Sequence, residues 1–378
     1  MGTNMIRLPR RSGIGALALL LACGAALAAS YDLKDLIREA HSIPSTTGNE
    51  ELLAARILSF LPKTGVDMDN LGSVTARFGR GGARIAVCAP LDDYGWFVSG
   101  FTPDGFLRLD RIGQPQPNYD GYLLGHPVVV STQKGLLHGI VVQPSMHLLT
   151  RERREELRNF TLALAYVDVG VRSEDEARLK GIERLDAVTL WPDLSVLAND
   201  KWAGPSLGQK AACALLLALA DDLSKAKLSQ EVALSWLAQT KFLARSAGQG
   251  APRAALGSVR ARKALQPKFA IAIDGLPADR GERSPVFGQG PALVLPRDGA
   301  APLKEAVEAA ARDAKVAIQT VSGADSTLLN GLAGEGTQAV LLALPVKFGQ
   351  TPAEVVDLKD VQALKAVLLQ LLQSGRVK

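Results

Sequence analysis

Apolar residues recur at helical spacing from Tyr31 to Leu61, first at Leu33, Leu36 and Ile37 and then through Leu52, Leu53, Ile57 and Leu61. Pro44 to Asn49 interrupts the period, so two helices are predicted rather than one. Val74 to Phe78 and Arg84 to Ala89 are short, apolar and punctuated by Gly79, Gly81 and Gly82, which reads as a pair of strands. Between Gly95 and Ala165 the texture changes to short strands with frequent Gly and Pro, and a helical period survives only near Thr150 to Arg158. From Leu162 strands and helices alternate again: strand Leu162 to Val167, apolar helix Leu207 to Leu219, strands Val232 to Leu237 and Phe269 to Ile273. Helix Pro302 to Ala314, strand Ala339 to Leu344 and a closing helix Val361 to Leu372 complete the pattern.

Alternation of this kind implies an α/β fold, a mixed and mostly parallel sheet covered by helices on both faces. The simplest organisation is one α/β domain made of residues 31–94 and 162–378, with a small β-barrel-like domain, 95–161, inserted into it.

The N-terminus changes the picture of where such a protein works. Arg7, Arg10 and Arg11 precede an apolar run from Ile14 to Ala22, and Ala26-Leu27-Ala28 forms a small-residue cleavage site, so residues 1–28 read as an export signal. Cys23 after Leu20-Leu21-Ala22 offers a lipobox as a competing reading, and Arg10-Arg11 a weaker twin-arginine one. The expected location is periplasmic or secreted, with lipid anchoring through Cys23 as the variant. No later run is long enough for a membrane-spanning helix. Removing 1–28 takes away three arginines and no acids, so the formal charge of +5 falls by three and a nucleic-acid partner is not expected. The basic cluster Arg253, Arg260, Arg262 and Lys263 reads as a solvated surface.

Candidate chemistry is sparse. The four histidines are His41, His126, His138 and His147, so the long second part of the α/β domain has no imidazole at all. Cys88 and Cys213 each sit in an apolar run and read as buried thiols. There is no Gly-x-Ser-x-Gly elbow, and the turn Gly79-Arg80-Gly81-Gly82 lacks the Lys-Ser/Thr of a phosphate loop. Asp92, Asp93, Asp274 and Asp325 form a carboxylate set at strand ends, for which hydrogen bonding competes with weak Mg²⁺ or Ca²⁺ binding.

The order of segments resembles the zinc- or cobalt-dependent aminopeptidases that include glutamyl aminopeptidase, the tetrahedral (TET) aminopeptidases and cellulase M-like proteins. Pro44 to Glu50, Gly125-His126-Pro127-Val128-Val129-Val130, Tyr166-Val167-Asp168-Val169-Gly170, Leu207-Gly208 and Phe287-Gly288-Gln289-Gly290-Pro291 carry the likeness. Ser322-Gly323-Ala324-Asp325 and Pro345 to Glu354 extend it to the C-terminus. The resemblance implies two metal ions, five ligand positions and a carboxylate base. Residue by residue, those ligand positions fall on Pro90, Gly204, Lys241, Asp274 and Gln350, and the base on Thr240. Asp274 alone keeps a donor of the expected type, so no cofactor is expected where the family would use two zinc or cobalt ions.

The reading that follows is an exported, non-catalytic homologue with a cleft for a peptide or a protein partner, whose candidate residues are Asp92, Asp93, Lys241, Asp274, Asp325 and Lys347. Lys241 is expected to pair with Asp274 or Asp92 in place of a metal. Two alternatives stay open: a working hydrolase whose metal or nucleophile has moved elsewhere, and a structural subunit, since family members assemble through the β-domain and a homo-oligomer is therefore expected.

Overall fold

The computed structural model describes residues 31–81, 84–112, 120–156, 160–244, 252–281, 284–296, 301–334 and 336–377. The export signal, its cleavage site and Cys23 lie outside them. In chain order the strands are β1 (Val66–Met68), β2 (Val74–Phe78), β3 (Ile85–Pro90), β4 (Trp96–Phe101), β5 (Leu107–Arg111), β6 (Pro127–Thr132), β7 (Gly135–Val142), β8 (Tyr166–Asp168) and β9 (Ala187–Leu190). They continue as β10 (Ser195–Leu197), β11 (Lys201–Gly204), β12 (Val232–Leu237), β13 (Phe269–Pro277), β14 (Ala292–Leu295), β15 (Gln319–Ser322), β16 (Gln338–Lys347) and β17 (Glu354–Asp357). The helices are α1 (Leu33–Ser42), α2 (Glu51–Phe60), α3 (Arg151–Glu156), α4 (Glu174–Leu179), α5 (Leu207–Ser224), α6 (Leu256–Leu265), α7 (Ala301–Asp313), α8 (Thr327–Leu332) and α9 (Leu358–Gln373).

Eleven strands form one sheet in the order β1-β2-β12-β3-β13-β16-β17-β11-β10, with β14 and β15 branching from β16. Its centre, β12-β3-β13-β16, is parallel, and antiparallel strands flank it on both sides. The central strands read as unbroken apolar runs because both faces are covered. Ile85, Val87 and Ala89 of β3 and Phe269, Ile271 and Ile273 of β13 face the core built on α5. The alternate residues Ala86, Cys88, Ala270 and Ala272 face α6 and α8. Large side chains thus lie on one face and small ones on the other, and the small face lets its helices approach closely. Cys88 and Cys213 sit on opposite faces of the sheet, and both are free buried thiols.

β4-β5-β8-β7-β6-β9 close into an antiparallel barrel with its own core around Trp96, Leu107, Val128 and Val167. The barrel is longer than the expected 95–161. Its fifth and sixth strands are β8, which bonds to β5 and β7, and β9, which bonds to β4 and β6. The strand expected at Leu162 to Val167 divides into a 3₁₀ turn, Leu162–Leu164, and β8. Hydrophobic periodicity marks a strand but not the sheet it joins, which is why the return to the α/β part was placed too early.

Candidate functional site

Between β3 and β13 the ladder stops at Cys88 and Ala272, while β13 stays paired to β16 as far as Pro277. The sheet therefore opens at the carboxyl ends of its parallel strands, where ligands of α/β folds are commonly held. A cleft of about 260 Å³ occupies the opening, and Tyr94, Thr240, Lys241, Asp274, Asp325, Gln350 and Glu354 reach it. Leu243, Leu276, Leu328 and Val346 supply apolar wall.

The turn after β12 carries the central pair. Gln239 adopts a left-handed φ of 54° and its N–H donates to Glu50 Oε1 at 2.8 Å. That reversal sends Thr240 and Lys241 back over the strand ends. Helix α6 backs the turn so closely that a Cβ on Gly257 would lie 2.0 Å from the Ala238 carbonyl oxygen, so only glycine fits there. Thr240 Oγ1 donates to Asp92 Oδ1 at 2.5 Å and accepts from Lys241 Nζ at 3.1 Å. Asp92 Oδ2 accepts from Thr47 Oγ1 at 2.7 Å and from the Lys241 N–H at 3.0 Å. Asp92 is fully buried and lies behind Thr240, and both its oxygens are engaged.

Lys241 is 8% exposed, and its ammonium sits 5.1 Å from the centre of the Tyr94 ring. Burial alone would lower its pKa, but the joint field of Asp92, Asp274, Tyr94 and Asp93 outweighs burial and raises it, so it stays charged. It forms no ion pair within 4.0 Å of either Asp92 or Asp274, so the expected direct pairing takes the form of a field and a bridging hydroxyl. Asp274 is raised by burial, against the pull of Lys241 and of the Gly275 N–H that donates to it at 2.8 Å. Glu354 is pushed up to about 7 by burial, against the N–H groups of Gln350 and Gly208 that donate to its two oxygens at 2.8 and 3.1 Å. Since Gly208 lies in the first turn of α5, Glu354 also caps that helix. Glu50 likewise rises to about 7, through burial and the nearby Asp92.

A second buried lysine lies beneath this floor. Lys210 on α5, 3% exposed, donates to Ile43 O at 2.8 Å, Ser45 Oγ at 2.7 Å and Asp93 Oδ2 at 2.8 Å. Nearby, His41 is held down at about 4 by burial and by the Lys210 charge.

The sequence candidates divide accordingly. Thr240, Lys241, Asp274, Asp325 and Gln350 meet in the cleft. Asp92 and Asp93 are behind its wall, and Lys347 points elsewhere, 3.5 Å from Asp279. Pro90 ends β3 inside the core. Gly204 ends β11, where a Cβ would lie 2.6 Å from His41 Nε2 and 2.8 Å from the Asp193 carbonyl oxygen. His138 stacks on Trp191 at 4.2 Å on the barrel, remote from the cleft's lining. Sequence reading missed Lys210, Glu50, Glu354 and Tyr94. For Lys210 a signal existed: it is a lone charge inside the apolar run that opens α5. Arg253, read as surface, lines the cleft.

The parallel centre, inserted barrel and strand-end cleft define an aminopeptidase-like α/β protein. Residues 72–367 match the model of the M42 glutamyl aminopeptidase family, and the chain belongs to that family. It is 24% identical over 361 residues to the lysyl aminopeptidase of Pyrococcus furiosus, covering 89% of this chain and 97% of that one. The TET aminopeptidase of the marine sediment archaeon Thaumarchaeota archaeon SCGC AB-539-E09 superposes with a TM-score of 0.77 at 22% identity, covering 91% of this chain and 96% of that one. The TET1 peptidase of Pyrococcus horikoshii, described as assembling into a tetrahedron or a large octahedral shell, gives 0.77 at 22%, covering 90% and 99%.

Membership corrects one expectation. The family consists of metallo-aminopeptidases that use divalent cations, so a divalent metal is the cofactor that membership implies, and the expectation of none is withdrawn. The residues present do not reproduce a donor set for a metal pair. Asp92, Asp93 and Glu354 already spend oxygens on hydrogen bonds or an ion pair, and a cation projects into the cleft beside Asp274. Among the described residues no three His, Cys, Asp or Glu side chains are grouped as a metal requires.

Proposed function

We propose that this chain is an exported member of the M42 family that holds peptides, or pieces of them, in the Thr240–Lys241 cleft without hydrolysing them, and that it works as an oligomer. One observation carries the reading: the turn after β12 delivers a hydroxyl and an ammonium to the strand ends where peptide hydrolysis needs a carboxylate base. Thr240 is already bound on both sides, by Asp92 and by Lys241, and the field on Lys241 keeps its proton in place. Neither accepts a proton from water near neutral pH. The apolar wall and the mixed charges of the cleft suit a peptidic ligand. Export rests on the basic, apolar and small-residue sequence of residues 1–28. Self-association is supported by the TET1 relative, described as assembling into a tetrahedron or a large octahedral shell.

The purified mature chain is expected to release no amino acid from a panel of aminoacyl substrates and short peptides, with or without added Zn²⁺ or Co²⁺. Sustained turnover on any of them would overturn the reading. Light scattering is expected to give a mass several times that of one chain, and fractionation of the native cell to place the protein beyond the inner membrane.

A further inference from the structure

Lys241 is an incompletely used cation. An ammonium carries three donors, and buried donors are normally all matched. Among the described residues Lys241 Nζ has one hydrogen-bond acceptor, Thr240 Oγ1 at 3.1 Å. Asp92 supplies no second one: its oxygens accept from Thr240, Thr47 and the Lys241 backbone, and they stand more than 4.0 Å from Nζ. Asp274 faces the same cleft. One of its oxygens accepts from Gly275 N–H, and the other has no described partner. The two charges feel one another, yet they stand more than 4.0 Å apart and make no ion pair. An open cation and an open anion thus border one small space, with Leu243, Leu276, Leu328 and Val346 along its wall.

We infer that the cleft is a receptor site for a free α-amino acid with an aliphatic side chain, its carboxylate held by Lys241, its ammonium by Asp274 and its side chain by the leucine-rich wall. The inference rests on the reading of the cleft as a peptide-ligand site and names the ligand class. A zwitterion satisfies both charges at once and adds no net charge to the interior, whereas a simple anion would meet the field of Asp274 and Asp92 unrelieved. The contact is non-covalent, so nothing but solvent is displaced.

The test is calorimetric titration of the intact protein with L-leucine, L-leucinamide and N-acetyl-L-leucine. Leucine is expected to bind saturably. Leucinamide, which lacks the carboxylate, and N-acetyl-leucine, which lacks the ammonium, are each expected to bind about tenfold or more weaker, as loss of a charged hydrogen bond implies. Lys241→Met is expected to lose the preference for leucine over leucinamide. Because this comparison also runs on the unmodified protein, it decides even if the variant does not fold. Equal binding of leucine and leucinamide, or no binding of leucine at millimolar concentration, would overturn the inference. Peptide turnover measured in parallel would count against the non-hydrolysing reading alone, since selectivity among the three ligands is read independently of it.

Discussion

Two lysines are buried on neighbouring levels of this protein, and they are not equivalent. Lys210 spends all three donors on Ile43 O, Ser45 Oγ and the Asp93 carboxylate. Lys241 spends one, on a hydroxyl, and stays charged through the field of carboxylates that its ammonium does not touch. The first arrangement closes on itself and ties α5 to the segments after α1 and β3. The second is closed on one side only. A buried cation with every donor matched is a structural bolt, and one with donors to spare is a socket; burial and charge alone do not tell them apart.

The contrast breaks most sharply at Lys210. Lys210→Met strands a buried Asp93 carboxylate and is expected to cost about 3–5 kcal/mol, read by denaturant unfolding. Should it cost under about 1 kcal/mol, Lys210 is not a bolt. Thr240→Val comes next, because it leaves Asp92 Oδ1 and the Lys241 ammonium both short of a partner; about 2–3 kcal/mol is expected in the same measurement. Lys241→Met removes one charged hydrogen bond and is expected to cost only about 1–2 kcal/mol, which sharpens the distinction from Lys210. A cost equal to that of Lys210→Met would erase it.

The smallest effect is one of pH. Glu354 rises to about 7 from an ordinary value of 4.5, so its protonated form is the one the fold prefers. That contribution is complete below about pH 4.5 and is lost as pH rises through about 7. Glu354→Gln fixes the neutral form, so its melting temperature is expected to fall less than that of the parent between pH 5 and pH 8. Glu50, raised to about 7 for the same reason, predicts the same sign for Glu50→Gln.

Much of the architecture was legible in the sequence. The β3, β12, β13 and β16 runs were readable because central parallel strands are apolar throughout, and the family resemblance, carried over residue by residue, placed Thr240, Lys241 and Asp274 in one site. The extent of the barrel was not legible, because Tyr166–Asp168, at three residues, is too short to declare which sheet it joins. Nor was the depth of each acid. Asp92 and Asp93 follow the same strand as neighbours in sequence, yet one is bound by two threonines and the other by a lysine from a helix more than a hundred residues later. Such pairings arise from tertiary packing, which local pattern does not encode. The pairing of Lys210 was hidden for the same reason, since residue type alone places a lysine at the surface.

Nothing larger than a hydrogen atom fits between α6 and the carbonyl of Ala238, so the segment that delivers Lys241 is clamped before any guest arrives. A guest therefore meets a receptor already set, and little of its interaction free energy goes into ordering the chain. Discrimination can then follow the guest's own shape and charge, and a bulkier residue at position 257 would blur it from the far side of the helix.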